Sequence, residues 1–115
     1  MIDKKIYEKL KEIARNRSII HYRQLAMLFR MPFETSDDRN QLFYIIGDIS
    51  VFEVKNNRPM LSAVVVHEPS FDKLQMPGDG FFKLAKDLGK LDVNSSKEKF
   101  FYDEIKKVWN YWEKH

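Results

Sequence analysis

The 115-residue sequence contains no cysteine. That absence excludes disulfides, thiolate metal sites and any cysteine nucleophile, and it suits a reducing compartment. Glycine and proline are scarce, with four of each, so long Gly- or Pro-rich linkers are excluded and a single domain over residues 1–115 is expected. No wholly apolar run approaches the ~20 residues a membrane span needs. The amino terminus opens on the charged Asp3-Lys4-Lys5 and then turns amphipathic, so no signal peptide is expected and the reading is cytoplasmic, with no membrane partner. What is present is a 43 % hydrophobic share with 32 % charged residues, the balance of a folded globular chain.

Charge is unevenly spread. Residues 1–30 carry a net +5, residues 31–80 a net −4 and residues 81–115 a net +2. A basic first third suits phosphate-bearing partners, whereas the acidic middle opposes a charge-driven recognition surface there.

Apolar spacing of three and four predicts a helix over residues 3–15, capped by Asp3 and stopped by a left-handed Asn16. A short extended piece follows at 18–21. A second helix is expected over 22–30, with Leu25, Ala26, Leu28 and Phe29 inward, ended by Met31-Pro32. Ser36 or Asp37 then caps a third helix to about residue 55, burying Leu42, Ile45, Ile46, Ile49 and Phe52. A turn at 56–59 leads to the β-branched run 60–67, read as a covered strand pairing with 19–20. Residues 68–80 read as a loop whose glycines supply positive φ and whose Asp79 caps the next helix. That short helix over 81–88 closes at Gly89. Ser95-x-x-Glu98 forms a capping box for a last helix over about 96–113.

The last helix carries an unusually broad aromatic face. Phe101, Ile105, Val108 and Trp112 form its centre, flanked by Phe100, Tyr111, Tyr102 and Trp109, an arc of about 200° where a one-sided helix needs little more than ~100°. Either two elements of the domain cover it, or Phe100, Tyr102, Trp109 and Tyr111 form a dimer or partner interface.

Short helix, turn and longer helix over about 22–55, then a strand and a Gly-Pro loop over about 60–80, is the order of a helix-turn-helix with a wing. The expected fold class is α+β, a mostly helical winged-helix-like domain with a small sheet and a long last helix. The segment Ile20-His21-Tyr22-Arg23-Gln24-Leu25-Ala26-Met27-Leu28 resembles the start of the helix-turn-helix in the DNA-binding domain of alkylguanine-DNA alkyltransferases and alkyltransferase-like proteins. Ile46-Gly47 resembles the Val-Gly of their recognition helix, the run 60–66 their Pro-Cys-His-Arg-Val-Val strand, and Pro77-Gly78-Asp79-Gly80-Phe81 their Gly-rich loop. The likeness spans residues 19–88. Arg58-Pro59 through Val66, with Met76 through Phe82, is also similar to a signature of small bacterial domains to which no activity is tied.

The departures decide the chemistry. Leu61-Ser62-Ala63 stands where the family has its reactive cysteine and neighbouring histidine, so alkyl transfer is excluded. Tyr44 stands where the family has its intercalating arginine. The resemblance implies that Tyr22 contacts a DNA backbone beside a flipped nucleotide.

Arg15, Arg17 and Arg23, with Lys11 and Arg30, gather near the start of the motif, where phosphate contacts position a duplex. Tyr22, Gln24, Arg39, Gln41 and Tyr44 offer groups for groove edges or stacking. Asp37, Asp38, Asp48 and Glu53 on or beside the same helix repel phosphates. The expectation is a non-enzymatic module for double-stranded DNA, without cofactor or metal. The alternative is a protein-interaction or homodimerisation module acting through the aromatic last helix. Three further patterns carry less. Glu53-Val54-Lys55, with Asp37 or Asp38 upstream, matches a nuclease spacing but falls on a helix, where positions two apart diverge. His67, Glu68, Asp72 and Asp79 are oxygen and nitrogen donors without metal-site spacing, and Ser62 has no base nearby in sequence.

Overall fold

The computed structural model describes residues 2–69 and 75–115. Within them five α-helices surround a buried central segment: α1 (Lys4–Arg15), α2 (Tyr22–Leu28), α3 (Ser36–Lys55), α4 (Asp79–Asp87) and α5 (Lys97–Glu113). The strands β1 (Ile20–His21) and β2 (Val65–Val66) pair in parallel, Ile20 opposite Val65 and His21 opposite Val66. A 3-10 turn, Leu61–Val64, precedes β2 and sits at the centre, packed by α1, α3 and α5.

Helix starts follow local chemistry. Asp3 accepts from the Ile6 N–H at 3.0 Å, as expected. Thr35, not Ser36 or Asp37, caps α3, exchanging bonds with Asp38, because it alone lies one residue before the first helical position and three before a carboxylate that can answer it. Ser96, not Ser95, caps α5 by accepting from Lys99 N–H. Gly78 occupies the cap position of α4 without a side-chain bond, and Asp79 is the first helical residue.

The first four helices all stop the same way. The residue two past the end enters the left-handed region, its N–H returns to the third-last carbonyl's neighbour, and the next N–H bonds back across the turn: Ser18 to Ile13, Met31 to Ala26, Arg58 to Glu53, Lys90 to Ala85. Gly89 and Asn57 suit that conformation. In α1 and α2 the positive φ falls on Arg17 (51°) and Arg30 (54°), so Asn16 is not the left-handed residue, and α2 stops at Leu28, ahead of Met31-Pro32. Neither Gly78 nor Gly80 has positive φ; at Gly78 space is tight, since a Cβ there would lie 3.1 Å from His67 Nε2 and the imidazole would have to shift.

The run 60–67 is buried to Val66, but only Val65–Val66 is strand. Its earlier backbone amides find side-chain acceptors: Glu104 Oε2 takes the Met60 N–H at 2.8 Å and Ser50 Oγ the Ser62 N–H at 3.0 Å. A chain whose amides are met by side chains needs no ladder. The strand pair is parallel, whereas a wing is an antiparallel hairpin; the expected 68–80 loop falls partly outside the described residues.

Leu42, Ile46 and Ile49 of α3 are buried as expected, while Ile45 is half-buried and Phe52 is exposed. In α2, Leu25 and Ala26 face inward, but Leu28, the last helical residue, is 56 % exposed. Two carboxylates lie wholly inside. Glu53 accepts from the Tyr7 hydroxyl at 2.5 Å and from Arg58 Nε at 2.7 Å, and Glu104 also binds Lys90 Nζ. Helix α5 packs against both α1 and the 3-10 turn, so its broad aromatic face is covered from two sides. No helix among the described residues is long and apolar enough to cross a membrane.

Candidate nucleic-acid interface

The first residue of α2 organises the site. Because β1 runs directly into α2, Tyr22 is held against the sheet, 5 % exposed. Its oxygen accepts the Gly78 N–H at 2.9 Å, joining α2 to the start of α4. The Phe43 ring meets it edge-on at 5.1 Å and the His67 ring tilts against it at 5.0 Å. Burial pushes the Tyr22 phenol up to about 12 against the weaker opposing pull of the Gly78 bond, so the hydroxyl stays protonated. Its own proton has no acceptor among the described residues.

A groove opens over these rings in two connected lobes that share Tyr22, Phe43, His67, Gly78 and Asp79. The inner lobe, about 740 Å³, runs between α3 and α4, past Asn40, Tyr44, Gly47, Asp48 and Lys83 to Ser62. At Gly47 a Cβ would stand in ordinary contact with Leu84 at 3.8 Å, so α4 packs closely across α3 there. The outer lobe, about 960 Å³, passes Arg23, Phe33, Arg39, Met76 and Lys97.

Ser62 is buried and its Oγ lies 2.6 Å from Ser50 Oγ, which also takes the Ser62 N–H. Two oxygens therefore share three hydrogens, and one hydroxyl proton has no acceptor among the described residues. No base accompanies the pair: its partners are each other and a backbone amide. The groove thus offers exposed ring surface from Phe43, Tyr44 and His67, the Tyr22 and Ser62 hydroxyls in its lining and cations at its rim. That set suits a flat ligand carrying carbonyl acceptors and a phosphate.

The residues expected to contact nucleic acid separate. Tyr22, Arg23, Arg39 and Tyr44 come together around the groove, Tyr44 being 75 % exposed. Arg23 faces Glu34 at 3.5 Å and Glu68 at 3.3 Å and stacks over Phe33. Arg39 donates to the carbonyls of Phe33 and Glu34, fixing the turn before α3. Gln24 is a capping residue, accepting the His21 N–H at 3.0 Å, and Gln41 is exposed on α3 outside the groove lining. Arg15 and Arg17 lie at the far end, against α5. Arg17 donates to Asn110 and Glu113 and covers the Trp109 ring; Arg15 approaches the Trp112 ring.

The aromatic flanks of α5 are mostly occupied within the chain. Phe100 packs on Phe81, Trp109 Nε1 donates to Ser18 O at 3.1 Å, and Tyr111 stacks on His115. Tyr102 is the exposed one. Glu53 and Lys55 sit on α3, Glu53 buried against Arg58 and Lys55 exposed, so the nuclease pattern does not assemble. Among the described residues no three His, Asp or Glu groups gather as metal ligands; Asp72 lies outside them.

Phe43, His67, Gly78 and Lys83 were not singled out for this site from the sequence. They come from α3, the end of β2 and α4, and only Phe43 carried a signal, an aromatic residue outside the inward-facing period of its helix. Compared with known proteins, the chain matches no family model, no curated protein and no solved structure.

Proposed function

We propose that this chain is a non-enzymatic nucleic-acid-binding module of winged-helix type that holds an unpaired base in the groove over Tyr22, Phe43 and His67. The observation that carries the reading is the groove itself: ring faces from three elements around hydroxyl donors, with Arg23, Arg39, Lys83 and Lys97 at its edges. Ring faces accept any base by stacking, worth ~1–3 kcal/mol per base, and the cations track the backbone. The order α2, turn, α3, strand and Gly-Pro segment supports the winged-helix assignment.

The electrostatics favour a single strand, or a locally opened duplex, over flat docking of α3 in a major groove. Asp37 and Asp48 are exposed on α3, and Glu34 and Glu68 already offset Arg23. With about two phosphates neutralised, affinity for a single strand falls roughly sevenfold between 50 and 200 mM salt. A second reading, a protein-interaction module, draws support from Met27 and Leu28, adjacent and exposed on α2.

Fluorescence anisotropy with a labelled single-stranded oligonucleotide and its duplex, at both salt concentrations, tests the proposal. The single strand is expected to bind more tightly than the duplex, and Phe43→Ala to weaken it at least about tenfold. Absence of binding at tens of micromolar overturns the reading and favours the surface at Met27 and Leu28.

A further inference from the structure

The Ser50–Ser62 pair at the inner end of the groove fixes the direction of one hydrogen. Ser50 is 0 % exposed and Ser62 4 %. Of the two, Ser62 lines the inner lobe and Ser50 does not. Ser50 Oγ takes the Ser62 N–H at 3.0 Å, and the two Oγ atoms stand 2.6 Å apart, a separation that one O–H spans as donor.

Two arrangements satisfy that contact. If Ser62 donates, the Ser50 hydrogen is enclosed without an acceptor among the described residues, which disfavours the arrangement at least about fivefold. If Ser50 donates, its own hydrogen is met, and the spare one falls on Ser62, at the groove wall, where a ligand can take it. The second arrangement therefore prevails. Ile46, Val51, Phe81 and Leu84 line the same lobe with carbon. Among the described residues Ser62 Oγ has no side-chain partner besides Ser50.

We infer that Ser62 is the residue by which the groove selects its base: its hydroxyl, aimed by Ser50, donates to a ring carbonyl, so oxo bases are preferred to adenine. The inference rests on the proposal that the groove holds an unpaired base. Stacking on Phe43, Tyr44 and His67 accepts any base and leaves selection to the polar group at the inner end. Adenine is the one common base without a carbonyl, and its exocyclic group is an amino donor. Donor then meets donor, and the hydroxyl stays unpaired in a largely apolar wall. The ring nitrogens of adenine are set back from the exocyclic position, so reaching them draws the base off its stacked seat. Ser50 touches no ligand here and acts as a positioning residue.

The test uses the full chain and oligonucleotides carrying one base among abasic sugars, so that a single base competes for the groove. Hypoxanthine and adenine give matched probes, because they share the purine frame and differ at C6 and in the proton on N1. By fluorescence anisotropy at low salt, the hypoxanthine probe is expected to bind at least about fivefold more tightly, the worth of one neutral hydrogen bond. Ser62→Ala is expected to lower hypoxanthine to the adenine value and to leave adenine unchanged, whereas loss of a merely structural serine weakens both alike. Ser62→Cys, close in shape and only a weak donor, is the second variant and is expected to narrow the preference, with the melting temperature of each variant checked. Equal affinity of the two probes for the unaltered chain, a preference for adenine, or a preference for hypoxanthine that survives in the folded variants overturns the inference and leaves the groove reading standing. Neither probe binding more tightly than a wholly abasic oligonucleotide overturns both.

Discussion

Around α1 and α5 the buried carboxylates are matched, and the Trp112 indole N–H is the one buried donor there without an acceptor among the described residues. Glu53 sits among Tyr7 and Arg58, Glu104 between the Met60 amide and Lys90, and Trp109 gives its N–H to Ser18. Around α2 and α4, hydroxyl protons of Tyr22 and of the Ser50–Ser62 pair lack acceptors among the described residues, and Phe43 and Tyr44 leave ring surface in solvent. Buried polar groups that are fully matched hold a fold together, while donors left over beside an open groove are groups a ligand can satisfy. The contrast separates the half whose buried carboxylates stabilise the chain from the half proposed to bind.

The largest effect is expected in the first half. Glu53→Ala leaves the part-buried Arg58 guanidinium and Tyr7 hydroxyl without their carboxylate, and its cost of ~1–3 kcal/mol is measured by urea unfolding. A loss below ~1 kcal/mol would break the division between the halves.

Groove substitutions are expected to reverse that pattern. Phe43→Ala lowers oligonucleotide affinity at least about tenfold and costs stability of only ~1 kcal/mol, the loss of its edge-on packing on Tyr22. Tyr22→Phe costs ~1–2 kcal/mol by leaving the Gly78 N–H without its acceptor, and it removes a hydroxyl from the groove lining as well. Unfolding and anisotropy on the same samples give both numbers.

Alkaline pH sharpens the comparison further. The Tyr22 phenol is raised from the usual ~10 to about 12 in the folded chain, and Tyr7 is raised too. A raised phenol favours the folded state fully below the unfolded value, and that contribution is lost as pH climbs from about 10 towards 12, because the unfolded chain releases the proton first. Melting temperature is expected to fall over that interval, and less steeply in Tyr22→Phe.

The smallest effect lies at the helix ends. Arg30 holds a positive φ of 54° and is exposed. Glycine adopts that conformation without strain, so Arg30→Gly is expected to raise stability by ~0.5–1 kcal/mol. The same change at Arg17 gains less, because it also removes the bonds to Asn110 and Glu113.

The helices were legible because periodicity and caps are local: α1, α3 and α5 begin within a residue or two of where apolar spacing and a capping Asp or Ser were expected to start them. The 3-10 turn at Leu61–Val64 was not, because a β-branched apolar run reads as strand unless one knows that Ser50 and Glu104, 12 and 44 residues from their partners, supply the acceptors. Arginine at two left-handed helix ends was illegible for a related reason, as Arg17 is held by α5, across the chain. The candidate site was half visible. Tyr22, Arg23, Arg39 and Tyr44 stood out as aromatic and basic residues of a helix-turn-helix, but His67, Gly78 and Lys83 join them only through the packing of β2 and α4. Arg15 and Arg17 shared the basic first third in sequence and part from it in space.

The central claim is that nucleic acid enters the groove over Tyr22. Titrating the isotopically labelled chain with a short single-stranded oligonucleotide, and following every backbone amide, tests it most directly. The account predicts that the amides of Tyr22, Phe43, His67, Gly78 and Lys83 shift together and saturate at one affinity. Those five amides remaining still while oligonucleotide is bound elsewhere, or not bound at all, would contradict it.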